Sequence, residues 1–161
     1  VKEVKELEPK LTKRLTVLAK NNQNLNAYVP VPMHILKIYE NIEKLSLEAE
    51  KKIKDNILFS DKAMTEITFL LQRLIDILRP TAEIILAKNV IVRRYVEESR
   101  VGIVRRAIEY ATLHEERLIE GLCLQVASSI YLNMLDAIKS IAWHSKEITV
   151  NLVEWSLPRA I

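Results

Sequence analysis

Acidic residues about one helical turn apart are the first candidates for chemistry in this sequence. Glu116 and Glu120 are spaced i, i+4, and Glu40 and Glu43 are spaced i, i+3. Either spacing places two carboxylates on one helix face, where they can share a hard cation. Ordinary ion pairing explains the same residues, because a basic residue accompanies each pair. We therefore treat these four residues as weak metal candidates only, and we predict no metal and no cofactor.

Histidine and cysteine offer little for catalysis. The di-iron pattern of helical bundles needs Glu-x-x-His twice, and none of His34, His114 and His144 has an acidic residue three positions before it. Cys123 lies beyond a helix break at Gly121, so its spacing from His114 does not require a nucleophile and a base to meet. We interpret His114 as a hydrogen-bonded core residue. The sequence therefore predicts no enzyme.

Composition indicates one helical domain. The chain has 161 residues, 49% of them hydrophobic, and only 2 glycines, which is typical of an almost wholly helical protein. Its single cysteine excludes an internal disulfide framework and fits a reducing compartment. The net charge of +3 is too small to indicate a nucleic-acid partner. No stretch has the uninterrupted apolar length of a membrane span.

Hydrophobic periodicity divides the chain into an arm and a bundle. Residues 1–33 combine a short helix after Pro9 with an Asn- and Pro-rich turn segment, so we predict an N-terminal arm or linker. From residue 34 onward, apolar residues recur at steps of three and four in four long stretches. We predict that 34–161 form an all-α, antiparallel bundle of long helices joined by short loops.

Local signals refine the helix ends within this bundle. Asp61 is the predicted N-cap of the second helix, and Pro80 is expected to kink or end it. Gly121 is expected to stop the third helix. The heptad seam of the second helix is assigned to Met64, Ile67, Leu71, Leu74 and Leu78.

One long stretch resembles a known family. "HEERLIEGLCLQVASSIYLNMLDAIKSIAWHSKEI" is similar to the last two helices of a PhoU-like domain, and most similar to the version fused to sodium/phosphate cotransporters. The family pattern runs His, Arg-Leu, Gly-x-Cys, Ser-Ser and Tyr-Leu before an acidic helix. This chain supplies, in order, His114, Arg117, Leu118, Gly121, Cys123, Ser128, Ser129, Tyr131 and Leu132. The resemblance implies a three-helix-repeat architecture.

The acids of that family's metal-binding helix are replaced here. When Ile141 and His144 are aligned with the family pattern, its two acidic positions fall on Lys139 and Trp143. An ammonium group and an indole cannot hold a hard cation as two carboxylates do. In the earlier helix "YENIEKLSLEA", one acid is likewise replaced, by Leu47. The resemblance thus implies the family's shape without its metal.

The resemblance implies a non-catalytic regulator of phosphate transport. Such domains act by contact with a phosphate transporter or sensor kinase at the cytoplasmic face of the membrane, either as free regulators or as the soluble part of a cotransporter-type protein. We expect a cytoplasmic protein, peripheral or tethered to the membrane, that forms a homodimer. Tyr131, Ile141, His144 and Trp155 are the expected packing anchors. Trp143 and Lys139 are the expected partner contacts, although Trp143 packing on a neighbouring helix is an equal alternative.

Two other interpretations remain open at the level of sequence. The chain is alternatively a structural or oligomerisation bundle, unrelated to phosphate, whose resemblance reflects helical composition. It is alternatively a metal-binding helical bundle that uses the four glutamates named above.

Overall fold

The computed structural model describes residues 2–154, and these form five α-helices and one short 3-10 helix. The helices are α1 (Lys2–Asn21), α2 (Val31–Lys54), α3 (Asp61–Ala87), α4 (Val90–Ile119) and α5 (Gln125–Glu154), with the 3-10 helix at Gln23–Tyr28 between α1 and α2. The predicted all-α bundle of long helices is therefore confirmed. Trp155, one of the expected anchors, lies outside the described residues.

Helix α5 is the centre of the bundle. It packs against α2, α3 and α4, and α3 also packs against α4, whereas α2 and α3 make no direct contact within residues 2–154. Contacts between His34 and His144 and between Glu48 and Asn133 show that α2 runs antiparallel to α5. Helices α3, α4 and α5 thus form a three-helix bundle, and α2 covers the opposite side of α5.

The burial pattern of α5 follows from this position. Its fully buried side chains point in several directions around the helix, since three helices surround it. They include Ile130, Tyr131, Ala137, Ile138, Ile141, Ala142, Ser145, Thr149 and Leu152, each 0% exposed. Only a narrow stripe of α5 reaches solvent, and Asp136 and Trp143 lie on it.

The core-facing seam of α3 differs from the predicted one. The buried residues of α3 follow a heptad pattern of their own, at Ala63, Ile67, Leu70, Leu74, Ile77, Thr81 and Ile84. Met64, assigned to the seam from sequence, is instead 44% exposed. Glu66 is buried beside the true seam. The apolar residues of α3 cover a wide part of its circumference and form two adjacent stripes. Packing buries the stripe that includes Leu70 and Ile77.

The start of α3 differs from the predicted one. Ser60, and not Asp61, is the N-cap of α3, and its side chain accepts a hydrogen bond from the backbone N–H of Ala63. Pro80 was expected to kink or end the helix, and it does not end it, since α3 continues to Ala87. Gly121 follows the end of α4 with a φ of +72°, the left-handed conformation that glycine adopts without a steric penalty.

The N-terminal residues are more helical than their composition indicated. Pro9 lies inside α1 and does not mark its beginning, and the Asn-rich segment forms the 3-10 helix in place of an extended chain. Helix α2 starts at Val31, slightly before the predicted start. Within residues 2–154, α1 contacts α2 and the 3-10 helix but none of α3, α4 and α5. It is therefore an outer layer of the fold.

Candidate functional site

A buried polar cluster forms where α4 ends and α3 and α5 begin. We use this name for Glu66 of α3, His114 and Arg117 of α4, and Ser128 and Tyr131 of α5. These residues meet because α4 runs antiparallel to both neighbours, which brings its last turns beside the first turns of α3 and α5. Four of the five carry the family resemblance by type and order: His114, Arg117, Ser128 and Tyr131. The fold therefore gathers motif residues into one place.

Glu66 is the hub of this cluster. Its side chain is 2% exposed, and its carboxylate accepts hydrogen bonds from both terminal nitrogens of Arg117, at 3.0 and 2.8 Å. The Tyr131 hydroxyl donates a third hydrogen bond, 2.5 Å long, to Glu66 Oε2. Bidentate geometry and a third donor compensate the cost of burying the carboxylate. The arrangement fixes the relative positions of three helices.

Ionisation of the cluster is strongly constrained. Burial raises the pKa of the Tyr131 phenol well above its ordinary value, and the adjacent Glu66 carboxylate raises it further. Burial alone would lower the pKa of Arg117, but hydrogen bonding and charge attraction from Glu66 more than offset that effect, so the pKa rises. The phenol therefore stays protonated and the guanidinium stays charged, so neither is suited to proton transfer near neutral pH.

His114 extends the cluster toward α5. Its Nε2 lies 2.8 Å from the Ser128 hydroxyl, and its ring stacks on Tyr131 with a centroid distance of 4.5 Å. Burial lowers the pKa of His114, and the Arg117 charge lowers it further. A neutral, stacked and hydrogen-bonded imidazole fits the interpretation of His114 as a core residue.

A cavity of about 220 Å³ adjoins the cluster. His114, Tyr131 and Cys123 line it together with Phe59 and other apolar side chains of the two loops at this end of the bundle. Sequence spacing did not require His114 and Cys123 to share a surface, so this proximity is a structural finding. Gly121 lies in the same loop as Cys123 and adopts the left-handed backbone conformation.

Glu66 was not among the residues predicted from the sequence. The signal was present, since Glu66 lies between Ala63 and Leu70 on the face of α3 that packs. An acid among core positions requires a buried cation or donor. Arg117 and Tyr131 were already singled out by the motif, and they are the partners that Glu66 needs.

A second polar contact joins α2 to α5. The Nδ1 atoms of His34 and His144 lie 2.9 Å apart, so one imidazole N–H donates to the other ring. Trp143 packs its indole edge-on against both rings, with centroid distances of 5.9 Å to His34 and 4.7 Å to His144. We call His34 and His144 the histidine pair. His34 carries no motif signal, and its role became visible only in the fold.

The histidine pair is held in its neutral form. Burial lowers the pKa of both rings; for His144, the neighbouring His34 and Lys37 add to the effect, whereas the Glu147 charge opposes it for both. A neutral pair shares one N–H between the two Nδ1 atoms. When both rings are protonated, each Nδ1 carries a hydrogen and the contact is lost. This histidine contact between α2 and α5 therefore depends on pH.

We expect the free energy of unfolding to decrease as the pH falls below 6.5, the ordinary pKa of histidine. Because the folded pKa values lie below those of the unfolded chain, the unfolded state binds more protons in this range. For each proton that the unfolded state binds in excess of the folded state, the free energy of unfolding falls by about 1.4 kcal/mol per unit decrease in pH. Urea unfolding at several pH values measures the slope. The His34→Gln, His144→Gln double variant should show a shallower slope, and an unchanged slope would contradict this role for the pair.

The four acidic metal candidates do not assemble into one site. Glu40 pairs with Lys37 of its own helix at 2.9 Å, and Glu43 pairs with Lys5 of α1 at 3.5 Å. Glu116 and Glu120 are exposed at the far end of α4. Within the part of the chain that the structure describes, no three or more His, Cys, Asp or Glu side chains are grouped closely enough to hold a metal ion.

The remaining candidates lie on both sides of α5. Ile141 is 0% exposed and belongs to the core. Lys139 pairs with Asp136 on the solvent-facing stripe at 2.8 Å. Trp143 is 42% exposed, so it combines both roles considered from sequence: one edge packs on the histidine pair, and the rest of the indole faces solvent.

Comparison with known proteins returned no match: no family model, no curated protein and no solved structure matches this chain. Among the described helices, none is both long enough and apolar enough to cross a membrane.

Proposed function

We propose that this chain is a non-catalytic, PhoU-like regulatory module of phosphate transport that acts by protein–protein contact. The observation that carries the proposal is the convergence of His114, Arg117 and Tyr131 on the buried polar cluster. The resemblance includes all three residues, and Arg117 and Tyr131 were selected by it alone. Their partner Glu66 lies outside the quoted stretch, and its carboxylate accepts hydrogen bonds from Arg117 and Tyr131.

The convergence of these three residues on one cluster favours a true family resemblance over one produced by helical composition. Composition can reproduce leucine and alanine spacing, but it does not require an arginine, a tyrosine and a histidine to share one buried network. Such a network fixes the angles at which α3, α4 and α5 meet. A regulator that works by contact needs a rigid shape of this kind, because a rigid surface loses little conformational entropy on binding.

The contact surface that we propose lies on the exposed stripe of α5, around Trp143 and Lys139. Trp143 presents a half-exposed indole whose orientation is fixed by the histidine pair. Tryptophan held rigidly at a surface is the residue type most enriched among binding hot spots. Lys139 and Asp136 form the polar rim beside it. The partner that we propose is a phosphate transporter or its sensor kinase, contacted at the cytoplasmic membrane face.

Metal is not part of this proposal. The two positions that hold acids in the resembled family carry Lys139 and Trp143, and their side chains occupy the α5 surface with contacts of their own. The alternative of a metal-binding bundle would need Glu40, Glu43, Glu116 and Glu120 to act together. They are distributed between the middle of α2 and the end of α4.

A homodimer forms part of the same proposal. Helix α1 carries leucines that are only half-buried: Leu7 is 52% exposed, and Leu11 and Leu18 are each 47% exposed. Burying such a stripe against a second copy would remove apolar surface from water. The same stripe also favours the alternative function, a structural or oligomerisation bundle, so dimerisation alone does not distinguish the two.

Phosphate uptake distinguishes the regulatory function from the structural alternative. Cells from which the coding sequence of this domain is removed should take up radiolabelled phosphate faster than the parent strain when external phosphate is abundant, because the restraint on transport is lost. Re-expression of the chain should restore the parental rate. Unchanged uptake in both phosphate-rich and phosphate-poor medium would overturn the regulatory proposal and favour the structural alternative.

A further inference from the structure

The outer face between α3 and α4 contains a groove that the buried polar cluster and the contact surface do not use. Its volume is about 240 Å³. Phe69 and Arg73 line it from α3, and Tyr95, Gly102, Ile103 and Arg105 line it from α4. A cavity of this size lies just below the usual range for drug-sized ligands, so it fits a small molecule and not a helix.

Gly102 is the most informative residue of the groove. It lies in the interior of the 30-residue helix α4, where glycine is less favourable than alanine. Its φ is not among the positive values in the chain, so the backbone does not require glycine. A Cβ placed on it would meet no atom within 4 Å, so packing does not require glycine either. What the missing side chain provides is open space at the floor of the groove.

Aromatic side chains form the walls. Both rings are partly exposed: Phe69 is 37% exposed and Tyr95 is 46% exposed. The Arg73 guanidinium lies over the Phe69 ring, 5.2 Å from its centroid. Tyr110 meets the same ring edge-on and helps to hold its orientation. A planar ring inserted over Gly102 would therefore find aromatic surfaces already in place.

The charge of the lining favours an anion. Three arginines and one aspartate line the groove: Arg73, Arg105, Arg106 and Asp76. Arg73 pairs with Asp76 at 3.4 Å, and Arg106 pairs with Glu109 at 2.8 Å. Arg105 has no ion-pair partner among the described residues. Its guanidinium is therefore available for a carboxylate or phosphate, which it can bind through two parallel hydrogen bonds.

We propose that this groove binds a small planar aromatic anion, such as an aryl phosphate or an aromatic carboxylate. The ring lies over Gly102 between Phe69 and Tyr95, and the anionic group reaches Arg105. This site is independent of the proposed contact function, since it lies on α3 and α4 and not on the exposed stripe of α5.

Isothermal titration calorimetry with three probes tests the assignment: 2-naphthyl phosphate, the neutral 2-naphthol and inorganic phosphate. The wild-type chain should bind 2-naphthyl phosphate with one-to-one stoichiometry and bind each of the other two at least about tenfold more weakly, since each retains only one of the two interactions. The absence of saturable 2-naphthyl phosphate binding, or equal affinity for inorganic phosphate, would overturn the proposal.

Variants locate the binding. Gly102→Leu should fill the floor and abolish binding of 2-naphthyl phosphate, whereas Gly102→Ala should retain binding and raise the melting temperature by about 2–4 °C. Arg105→Gln should weaken 2-naphthyl phosphate by about tenfold and leave 2-naphthol unchanged. Because Arg105 is exposed, this variant keeps the test valid even where Gly102→Leu does not fold. Wild-type affinity in Gly102→Leu or in Arg105→Gln would place the ligand elsewhere and overturn the proposal.

Discussion

Replacing Arg117 with leucine is expected to lower the free energy of unfolding by about 3–5 kcal/mol. The variant leaves the Glu66 carboxylate, 2% exposed, without its cation and with only the Tyr131 hydroxyl as a donor. An uncompensated buried charge is costlier than the loss of the ion pair itself. Urea unfolding at neutral pH, followed by circular dichroism at the helix band, measures the change.

Two matched variants show whether burial causes the effect. The Glu66→Leu, Arg117→Leu double variant removes both charges and should recover most of the lost stability. Arg106→Leu breaks the Arg106–Glu109 pair, in which both side chains are 46% exposed, and should change stability by less than about 1 kcal/mol. If Arg117→Leu were no more destabilising than Arg106→Leu, the buried polar cluster would not organise the helix junction.

Ile141→Ala is expected to destabilise the fold by about 2–5 kcal/mol. Ile141 is 0% exposed on the central helix, where neighbouring helices limit how far the structure can collapse around a deleted side chain. The loss combines the transfer of the removed methyl and methylene groups with the cavity that remains. Thermal and urea unfolding of the purified variant provide the measurement.

Ile91→Ala is the matched control for this substitution. Ile91 is 78% exposed near the start of α4, so the same chemical change there should alter stability by no more than about 0.5 kcal/mol. Equal losses for the two variants would mean that α5 is not the centre of the core.

The sequence predicted the helices well because apolar spacing alone defines them. The four long helices from α2 to α5 appear where the periodicity placed them, and Gly121 stops α4 as expected. The seam of α3 was not determined by its own residues. Leu70, Leu71, Ile77 and Leu78 offer two neighbouring apolar stripes, and only the packing against α4 and α5 decides between them.

The candidate site was predicted in part. Motif order identified His114, Arg117 and Tyr131, and the structure joins them through Glu66. Glu66 and His34 were missed because their partners lie 51 to 110 residues away in sequence. No local spacing rule covers such a distance. The role of a buried acid or histidine can be assigned only when the fold shows which residue is its partner.

The conformation of the Asn-rich segment was mispredicted for a related reason. Asparagine and proline favour turns in isolation, but the 3-10 helix packs against α5 and buries Ala27 to 2% exposure. Tertiary contacts thus order a segment whose composition alone indicates irregular chain.

Phosphate uptake by cells that carry Trp143→Ala tests the central claim most directly. Trp143 is a half-exposed hot-spot candidate, and its truncation should weaken the partner contact by about 2 kcal/mol without unfolding the bundle. With the variant present at wild-type abundance, we predict fast uptake in phosphate-rich medium, as in cells without the domain, while Ile91→Ala cells behave like the parent. Parental uptake in Trp143→Ala cells would contradict regulation through this surface.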